Sequence, residues 1–144
     1  MSFDIQDGVN QIYKVFWDVW KPKNAPAQFP DDADAEGNFT PPSAPLWARA
    51  TIIHADGFQA SLTGPLEEKK RHTRLGTVII QVFGGPRGTG STAAYDAAQD
   101  VMTAYEKARG LDVWFRRVRI NEVRTRGPHV QVNVKADFSY DDVR

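Results

Sequence analysis

The sequence contains no cysteine among its 144 residues. This absence excludes disulfide bonds, thiolate catalysis and cysteine-ligated zinc or iron–sulfur sites. The sequence also has no run of 18 apolar residues, and its first residues, MSFDIQDGV, lack the basic and apolar regions of a secretory leader. We therefore expect a protein that is made and kept in the cytoplasm, or in an assembly built there, with no membrane partner.

An excess of charge of one sign is also lacking. Eighteen Lys and Arg residues balance 18 Asp and Glu residues, whereas proteins that coat nucleic acid or anionic membranes usually carry a basic excess. The charge is unevenly spread: residues 1–45 carry three basic and seven acidic side chains, residues 46–90 six and three, and residues 91–144 nine and eight. These regions could meet in contacts between copies; the simpler interpretation is scatter over a solvated surface.

The length and composition are those of one globular domain, spanning residues 1–144, with 41% hydrophobic residues. Apolar residues at helical spacing predict a first helix that ends at Pro22, and small residues dominate the apolar face of a second helix over 91–108. Period-two alternation predicts strands over 47–55, 58–63, 71–83, 113–124 and 130–140. A turn is predicted at 55–57, and a change of parity predicts a β-bulge at Arg116–Arg117. The order α-β-β-β-α-β-β indicates an α+β domain, a mostly antiparallel sheet packed against two helices.

Residues 22–45 form a proline-rich arm that interrupts this pattern. The arm holds six of the nine prolines and an acidic run from Asp31 to Glu36, which predict a long surface loop. Phe29 and Phe39 would be its anchors if it docks. Trp17 lies at the margin of the apolar stripe of the first helix. We expect Trp17 and the arm to serve contacts with other chains and not the core of the subunit.

No motif in the sequence predicts catalysis. The loop Gly84–Gly90 precedes a helix N-terminus, where anions bind, but it lacks the Lys-Ser/Thr ending of a phosphate-binding loop and the glycine order of dinucleotide sites. We interpret it as a structural or docking loop in which Arg87 is the only charged side chain. The three histidines complete no metal or catalytic cluster, and no serine lies in a nucleophile motif. We therefore expect no enzyme, with no catalytic residue, metal ligand or cofactor.

The densest basic run is Lys69-Lys70-Arg71-His72-Thr73-Arg74, which leads into a strand. No aromatic residue is interleaved with it, which weakens an interpretation as a single-strand nucleic-acid site. We place the run at a hairpin tip or strand start that contacts protein, with contact to phosphates as the alternative.

Three segments of the chain resemble the tail terminator proteins of long-tailed, siphovirus-type bacteriophages. They are WARATIIHADGFQASLTG (47–64), TRLGTVIIQVFGGPRGTGSTAAYDAAQDVMTAYE (73–106) and VWFRRVRINEVRTRGPHVQVNVKADFSYDD (113–142). Together with the short first helix, the resemblance covers nearly the whole chain except the arm at 22–45. It rests on the order of the elements and on these segments, and the family has no catalytic signature.

The resemblance implies a structural virion protein, a small α+β subunit that closes into a hexameric ring. Such a ring caps the tail tube, stops its polymerisation and offers its other face to the head–tail connector protein. Genomic DNA would pass through the ring without sequence-specific binding. The protein would lie at the head-proximal end of the tail, after assembly in the host cytoplasm. The residues expected at protein interfaces are Trp17, Phe29, Phe39, Lys69, Lys70, Arg71, Arg74 and Arg87.

Two other function classes stay open at this stage. One is a different ring-forming neck or tail component, either a head–tail adaptor or a tail tube subunit. The other is a phosphate- or nucleotide-binding enzyme that uses the glycine loop at 84–90.

Overall fold

The computed structural model describes residues 3–42, 44–59, 71–85, 91–123 and 130–143. These residues form two α-helices, α1 (Ile5–Trp20) and α2 (Ser91–Lys107), with two short 3-10 helices, Lys21–Lys23 and Pro30–Asp32. Their strands are β1 (Ala27–Gln28), β2 (Leu46–Gln59), β3 (Arg71–Gly84), β4 (Val113–Val123) and β5 (Val130–Val143). The predicted α+β class is confirmed, and the predicted order of elements is consistent with this arrangement.

The described strands form one sheet in the order β1-β2-β3-β5-β4. The pairs β2–β3, β3–β5 and β5–β4 are antiparallel, and only the short β1 runs parallel to its neighbour β2. β1 and β4 are therefore the two edges of the sheet, and the last strand of the chain, β5, lies inside it.

The core lies between one face of the sheet and the two helices. From Gln131 to Asp142, β5 alternates between partly exposed and buried residues, as its sequence predicts, and its buried side chains meet the small residues of α2. Within the part of the chain that the structure describes, no helix packs on the opposite face of the sheet, which we call the open face. The buried residues that α2 and β5 contribute are Ala94, Ala97, Ala98, Val101, Tyr105, Val132, Val134, Ala136, Phe138 and Tyr140.

Helix α1 is fixed at both ends. Asp4 caps its start in a capping box, in which the Asp4 carboxylate accepts from the Asp7 N–H and the Asp7 carboxylate accepts from the Asp4 N–H. Gly8 permits close packing, since a Cβ at this position would lie 2.6 Å from a ring carbon of Tyr140. At the other end, the Trp20 indole N–H donates to the carbonyl of Ala25 at 3.0 Å.

The predicted turn at 55–57 is wrong, because β2 continues through these residues to Gln59. Ala55 pairs with Leu75 and Phe58 pairs with Thr73 on the same neighbouring strand, so Asp56 and Gly57 are accommodated in a β-bulge. The bulge predicted at Arg116–Arg117 is confirmed. There the register shifts between Arg116 and Arg119, and Arg117 has a positive φ of 51°.

The proline-rich arm is more ordered than a plain surface loop. Ala27 and Gln28 pair with β2, and the side chains of Ala25, Ala27 and Phe29 pack against the core. Contrary to the expectation from sequence, the arm therefore contributes to the subunit itself. The apolar residues placed between its prolines explain this, because they gain burial against α1 and β2 without needing a long regular element.

Candidate functional surfaces

The arm is held to the domain by its two phenylalanines, one on each side of the sheet edge. The Phe29 ring lies against α1, with ring centroids 5.2 Å from Tyr13, 5.9 Å from Phe16 and 6.3 Å from Trp17. The Phe39 ring lies 4.3 Å from the guanidinium carbon of Arg49, a cation–π distance. The prediction that these two residues anchor the arm is confirmed.

Arg49 organises the other side of this edge. It lies on the open face, because its neighbours Ala48 and Ala50 are both buried in the core. Its Nε and Nη2 donate to the side-chain oxygen of Gln28, and the Gln28 amide donates to the Thr40 carbonyl at 2.6 Å. Residues 30–38 therefore pass around the β1 edge, from the helix-covered side of the sheet at Phe29 to the open face at Phe39.

The segment that crosses the β1 edge is acidic. Asp31, Asp32, Asp34 and Glu36 are exposed, and no Lys or Arg occurs between residues 24 and 45. Asp32 accepts from the Phe29 N–H, and Asp34 accepts from the backbone N–H groups of Glu36 and Asn38. Two of the four carboxylates thus stabilise the local chain path. We call residues 30–38 the acidic turn.

Trp17 lies beside this edge, next to Phe29, with 40% of its surface exposed. From the sequence we expect this residue to contact another chain. The structure shows it half-buried within the subunit, with an exposed remainder next to the arm. Its proposed contact with another chain stays a prediction.

The opposite edge of the sheet is basic. Arg116, Arg117 and Arg119 lie at the β4 bulge. The Asp137 carboxylate on β5 forms ion pairs with two of them, at 3.2 Å from Arg119 Nη1 and 3.3 Å from Arg117 Nη1. Partial burial raises the pKa of Asp137, but hydrogen bonds from Thr77 and Arg119 and the nearby positive charges outweigh it. The resulting pKa lies below its ordinary value of 3.8, so this carboxylate is ionised near neutral pH.

Trp114 lies beside these arginines and is 60% exposed. Its neighbours Val113 and Phe115 are directed to the core, so Trp114 is on the open face. We call Trp114, Arg116, Arg117 and Arg119 the β4 patch. A groove of about 340 Å³ borders it, formed by the three arginines together with Thr77 and Asp137 among other residues.

A second polar cluster lies near the start of α1. Arg74 donates through Nε and Nη2 to one oxygen of Asp142, at 3.2 and 3.0 Å, and Asp142 is fully buried. Close by, His54 Nε2 and the Tyr140 hydroxyl are 2.7 Å apart. Burial raises the pKa of Tyr140 to about 12, so its hydroxyl is neutral at physiological pH and is not a poised base. We interpret the cluster as a structural connection between β2, β3 and β5.

The described residues include only part of the predicted basic run. Lys69 and Lys70 lie outside the described residues, as does Arg87 of the glycine loop. Arg71 begins β3, and Arg74 is bound to Asp142 instead of projecting freely from the sheet. Of the loop itself, Gly84 ends β3, and the Gly85 N–H donates to the Pro45 carbonyl at 3.1 Å.

Within the ranges that the structure describes, no three His, Asp or Glu side chains are grouped so that they could hold a metal ion. Neither described helix is both long and apolar enough to cross a bilayer. No protein-family model matches the chain, and no curated protein matches it.

From the sequence, Trp114 is not identified as a surface residue, and the three arginines are not predicted to lie beside it. A signal was present in the alternation of β4, because Val113 and Phe115 directed inward require Trp114 to point outward. The position of β4 at the edge of the sheet carries no comparable signal, since the local sequence does not determine the order of strands.

Proposed function

We propose that this protein is a tail terminator, a subunit that assembles into a ring on the tail tube of a long-tailed bacteriophage and stops its growth. The observation that carries the proposal is the resemblance of the three sequence segments to that family. In the structure these segments correspond to most of β2, to β3 with most of α2, and to β4 with β5. They therefore supply almost all of one sheet, and the α+β fold agrees with the small subunit that the resemblance implies.

The two edges of the sheet are compatible with ring formation. A ring of identical subunits needs two different surfaces that complement each other, in contrast to a twofold dimer, which uses one surface twice. The acidic turn and the β4 patch are different surfaces of opposite charge on one subunit.

A polymerisation assay with the cognate tail tube protein tests the proposal. We expect tubes grown with the purified protein to be shorter than tubes grown alone, with a ring at one end in negative-stain electron microscopy. The effect should saturate at one ring per tube, because a terminator blocks a tube end and is not incorporated along its length. Incorporation along the tube would identify a tube subunit, and binding to the head-side connector alone would identify a head–tail adaptor.

The enzyme alternative has a separate test. We expect no saturable binding of ATP or GTP in a calorimetric titration, because the loop at 84–90 lacks the lysine that a phosphate-binding loop places on the phosphates. Micromolar binding that disappears in Arg87→Ala would contradict this expectation and favour a nucleotide-binding function.

A further inference from the structure

The two edges of the sheet differ in charge, and they lie at opposite ends of the strand order. β1 and the acidic turn form one edge, whereas β4 with its three arginines forms the other, with β2, β3 and β5 between them. The acidic turn carries four carboxylates and no Lys or Arg. The β4 patch carries three guanidinium groups, two of which form ion pairs with the Asp137 carboxylate, while the exposed carboxylates of Asp112 and Glu122 lie towards the two ends of the same strand.

Each edge also carries an exposed tryptophan. Trp17 is 40% exposed beside the acidic turn, and Trp114 is 60% exposed beside the arginines. Tryptophan and arginine are the residue types that most often dominate the energy of protein interfaces. An apolar ring next to charged side chains is therefore present on both edges, with the sign of the charge reversed.

We propose that the β4 patch of one copy of this chain docks against the acidic turn and Trp17 of a second copy, in a head-to-tail contact. The inference rests on the proposed ring, which needs such a contact, and it names the two surfaces that make it. The contact is heterologous, because each copy offers its basic edge to one neighbour and its acidic edge to another.

The direction of the strands fits this contact. β2 and β4 run antiparallel to each other, because three antiparallel steps separate them in the sheet. β1, the edge strand, runs parallel to β2 and therefore antiparallel to β4. When copies related by rotation about an axis along the strands stand side by side, β4 of one copy faces an oppositely directed β1 of the next.

The β4 edge is unsuited to indiscriminate pairing with other strands. Its bulge interrupts the ladder and Arg117 adopts a left-handed conformation, and bulges and charged residues are devices that protect edge strands from aggregation. These features favour a binding partner whose negative charge neutralises the arginines. The acidic turn is such a partner, and it belongs to the same chain.

A second copy fits the patch better than nucleic acid does. Asp137 lies among the arginines and forms ion pairs with two of them, and its negative charge would repel a phosphate backbone at the centre of the patch. Trp114 and the balanced charge of the whole chain also favour a protein partner. Binding to nucleic acid is therefore an outcome that the experiment must be able to reveal.

The experiment compares self-association of the full-length wild type with that of two charge-reversed variants, by sedimentation velocity at low and high salt. The first variant is Arg116→Glu/Arg117→Glu, which leaves the Arg119–Asp137 ion pair in place. The second is Asp31→Lys/Glu36→Lys, which leaves Asp32 and Asp34 to accept their backbone hydrogen bonds. Two matched controls reverse the same number of charges on the helices: Lys14→Glu/Lys107→Glu and Asp96→Lys/Glu106→Lys.

We expect wild type to self-associate at low salt and to dissociate as salt is raised. Each edge variant should raise the dissociation constant by roughly tenfold or more, because two attractive charge contacts become repulsive. The control variants should associate like wild type. Circular dichroism verifies that all five proteins are folded.

Mixing the two edge variants gives the decisive measurement. In an alternating assembly every contact again joins opposite charges, so the mixture should recover the association that each variant alone has lost. Assemblies larger than a dimer are expected, because a head-to-tail contact continues to the next copy, whereas a self-complementary contact stops at two.

Several results would overturn the inference. Wild type that stays monomeric at low salt, up to concentrations on the order of 1 mM, lacks a contact of useful strength. If the edge variants associate like wild type, the arginines and the bulge only protect the edge strand from aggregation. If the Arg116→Glu/Arg117→Glu variant loses binding to a DNA oligonucleotide but keeps its self-association, the patch binds nucleic acid. If both edge variants still cap tubes, this contact is refuted and the proposed function stands. If the wild type forms salt-dependent assemblies but does not cap tubes, only the proposed function is refuted.

Discussion

Arg74 and Asp142 illustrate at the residue scale how a residue expected on a surface is used inside the subunit. The adjacent charges of the basic run predict that its side chains project from a hairpin tip or strand start. The structure instead joins Arg74 to a carboxylate that is fully buried, on a strand 68 residues away along the chain. Sequence spacing cannot reveal such a pair, because it depends on the register between β3 and β5, which pairs Arg74 with Tyr140 and His72 with Asp142.

Replacing Arg74 with methionine should destabilise the protein strongly. The substitution keeps much of the apolar volume but removes the positive charge next to the buried carboxylate of Asp142. Loss of one partner of a buried ion pair typically costs about 3 kcal/mol in the free energy of unfolding, which urea denaturation would measure. Lys14→Met is the matched control, because the Lys14–Asp18 pair is largely exposed and should cost less than about 0.5 kcal/mol. Equal costs for the two variants would contradict the structural role of Arg74.

His54 should make stability depend on pH. Burial, followed by the positive charge of Arg74, lowers the pKa of His54 below its ordinary value of 6.5. The unfolded chain therefore binds a proton more readily than the folded protein. The contribution to stability is complete above pH 6.5 and is lost as the pH falls from 6.5 through the folded-state pKa.

Urea denaturation of wild type and His54→Gln over this pH range measures the contribution. We expect the free energy of unfolding to fall less steeply with decreasing pH in the variant, which keeps a polar side chain beside Tyr140 but cannot take up the proton. His72 and His129 are present in both proteins, so their effects cancel in the difference. Parallel pH profiles would mean that His54 titrates identically in the folded and unfolded chains.

At the scale of secondary-structure elements, the regular parts of the sheet and the helices follow from sequence periodicity. β5 alternates as its sequence predicts, and the changed parity of β4 correctly predicted a bulge. The same reasoning failed at 55–57, because Asp56-Gly57 is compatible with either a hairpin turn or a bulge. Pairing of both flanks with β3 decides between them. β1 has only two residues and thus no period to detect, so its pairing with β2 depends on tertiary structure.

The arm should stabilise the subunit mainly through Phe29. Phe29→Ala removes a ring that contacts three aromatic residues of α1, and we expect a loss of about 2 kcal/mol in the free energy of unfolding because the ring is partly buried. Phe39→Ala removes one cation–π contact with Arg49 and should cost about 1 kcal/mol. Thermal and urea denaturation would measure both. If neither substitution changes stability, the arm is held by its backbone contacts alone.

At the scale of the whole molecule, the sequence shows that charge is unevenly spread along the chain but not where the charges lie in the fold. The acidic turn lies at one edge of the sheet because β1 pairs with β2, which the sequence could not indicate. The basic surface at the opposite edge comes from 116–119, outside the middle third that has the largest basic excess. Strand order brings these surfaces to opposite ends of the molecule, and strand order is a property of the complete fold.

The basic run at the start of β3 gives a prediction for the assembled ring. We expect Lys69→Glu/Lys70→Glu/Arg71→Glu to fold and form rings but to lose capping of tail tubes, since we assign the run to a contact with the tube. High salt should weaken capping by wild type in the same way. Lys14→Glu/Lys107→Glu/Arg109→Glu, with three reversals on and beside the helices, is the control and should cap normally. A triple variant that caps tubes but alters DNA passage would place the run at the lumen.

The position of β5 also determines the order in which the fold can be completed. In the described residues β3 and β4 do not pair with each other; both pair with β5, which follows them in the chain, and β3 also pairs with β2. Until β5 has been synthesised and inserted, β3 has an unpaired side and β4 has no partner strand. Because β3 and β5 are separated by about 60 residues, this step closes a long loop and is expected to be slow. The nascent chain would thus expose one unpaired side of β3 and the whole of β4 during synthesis, when edge-to-edge association is a particular hazard.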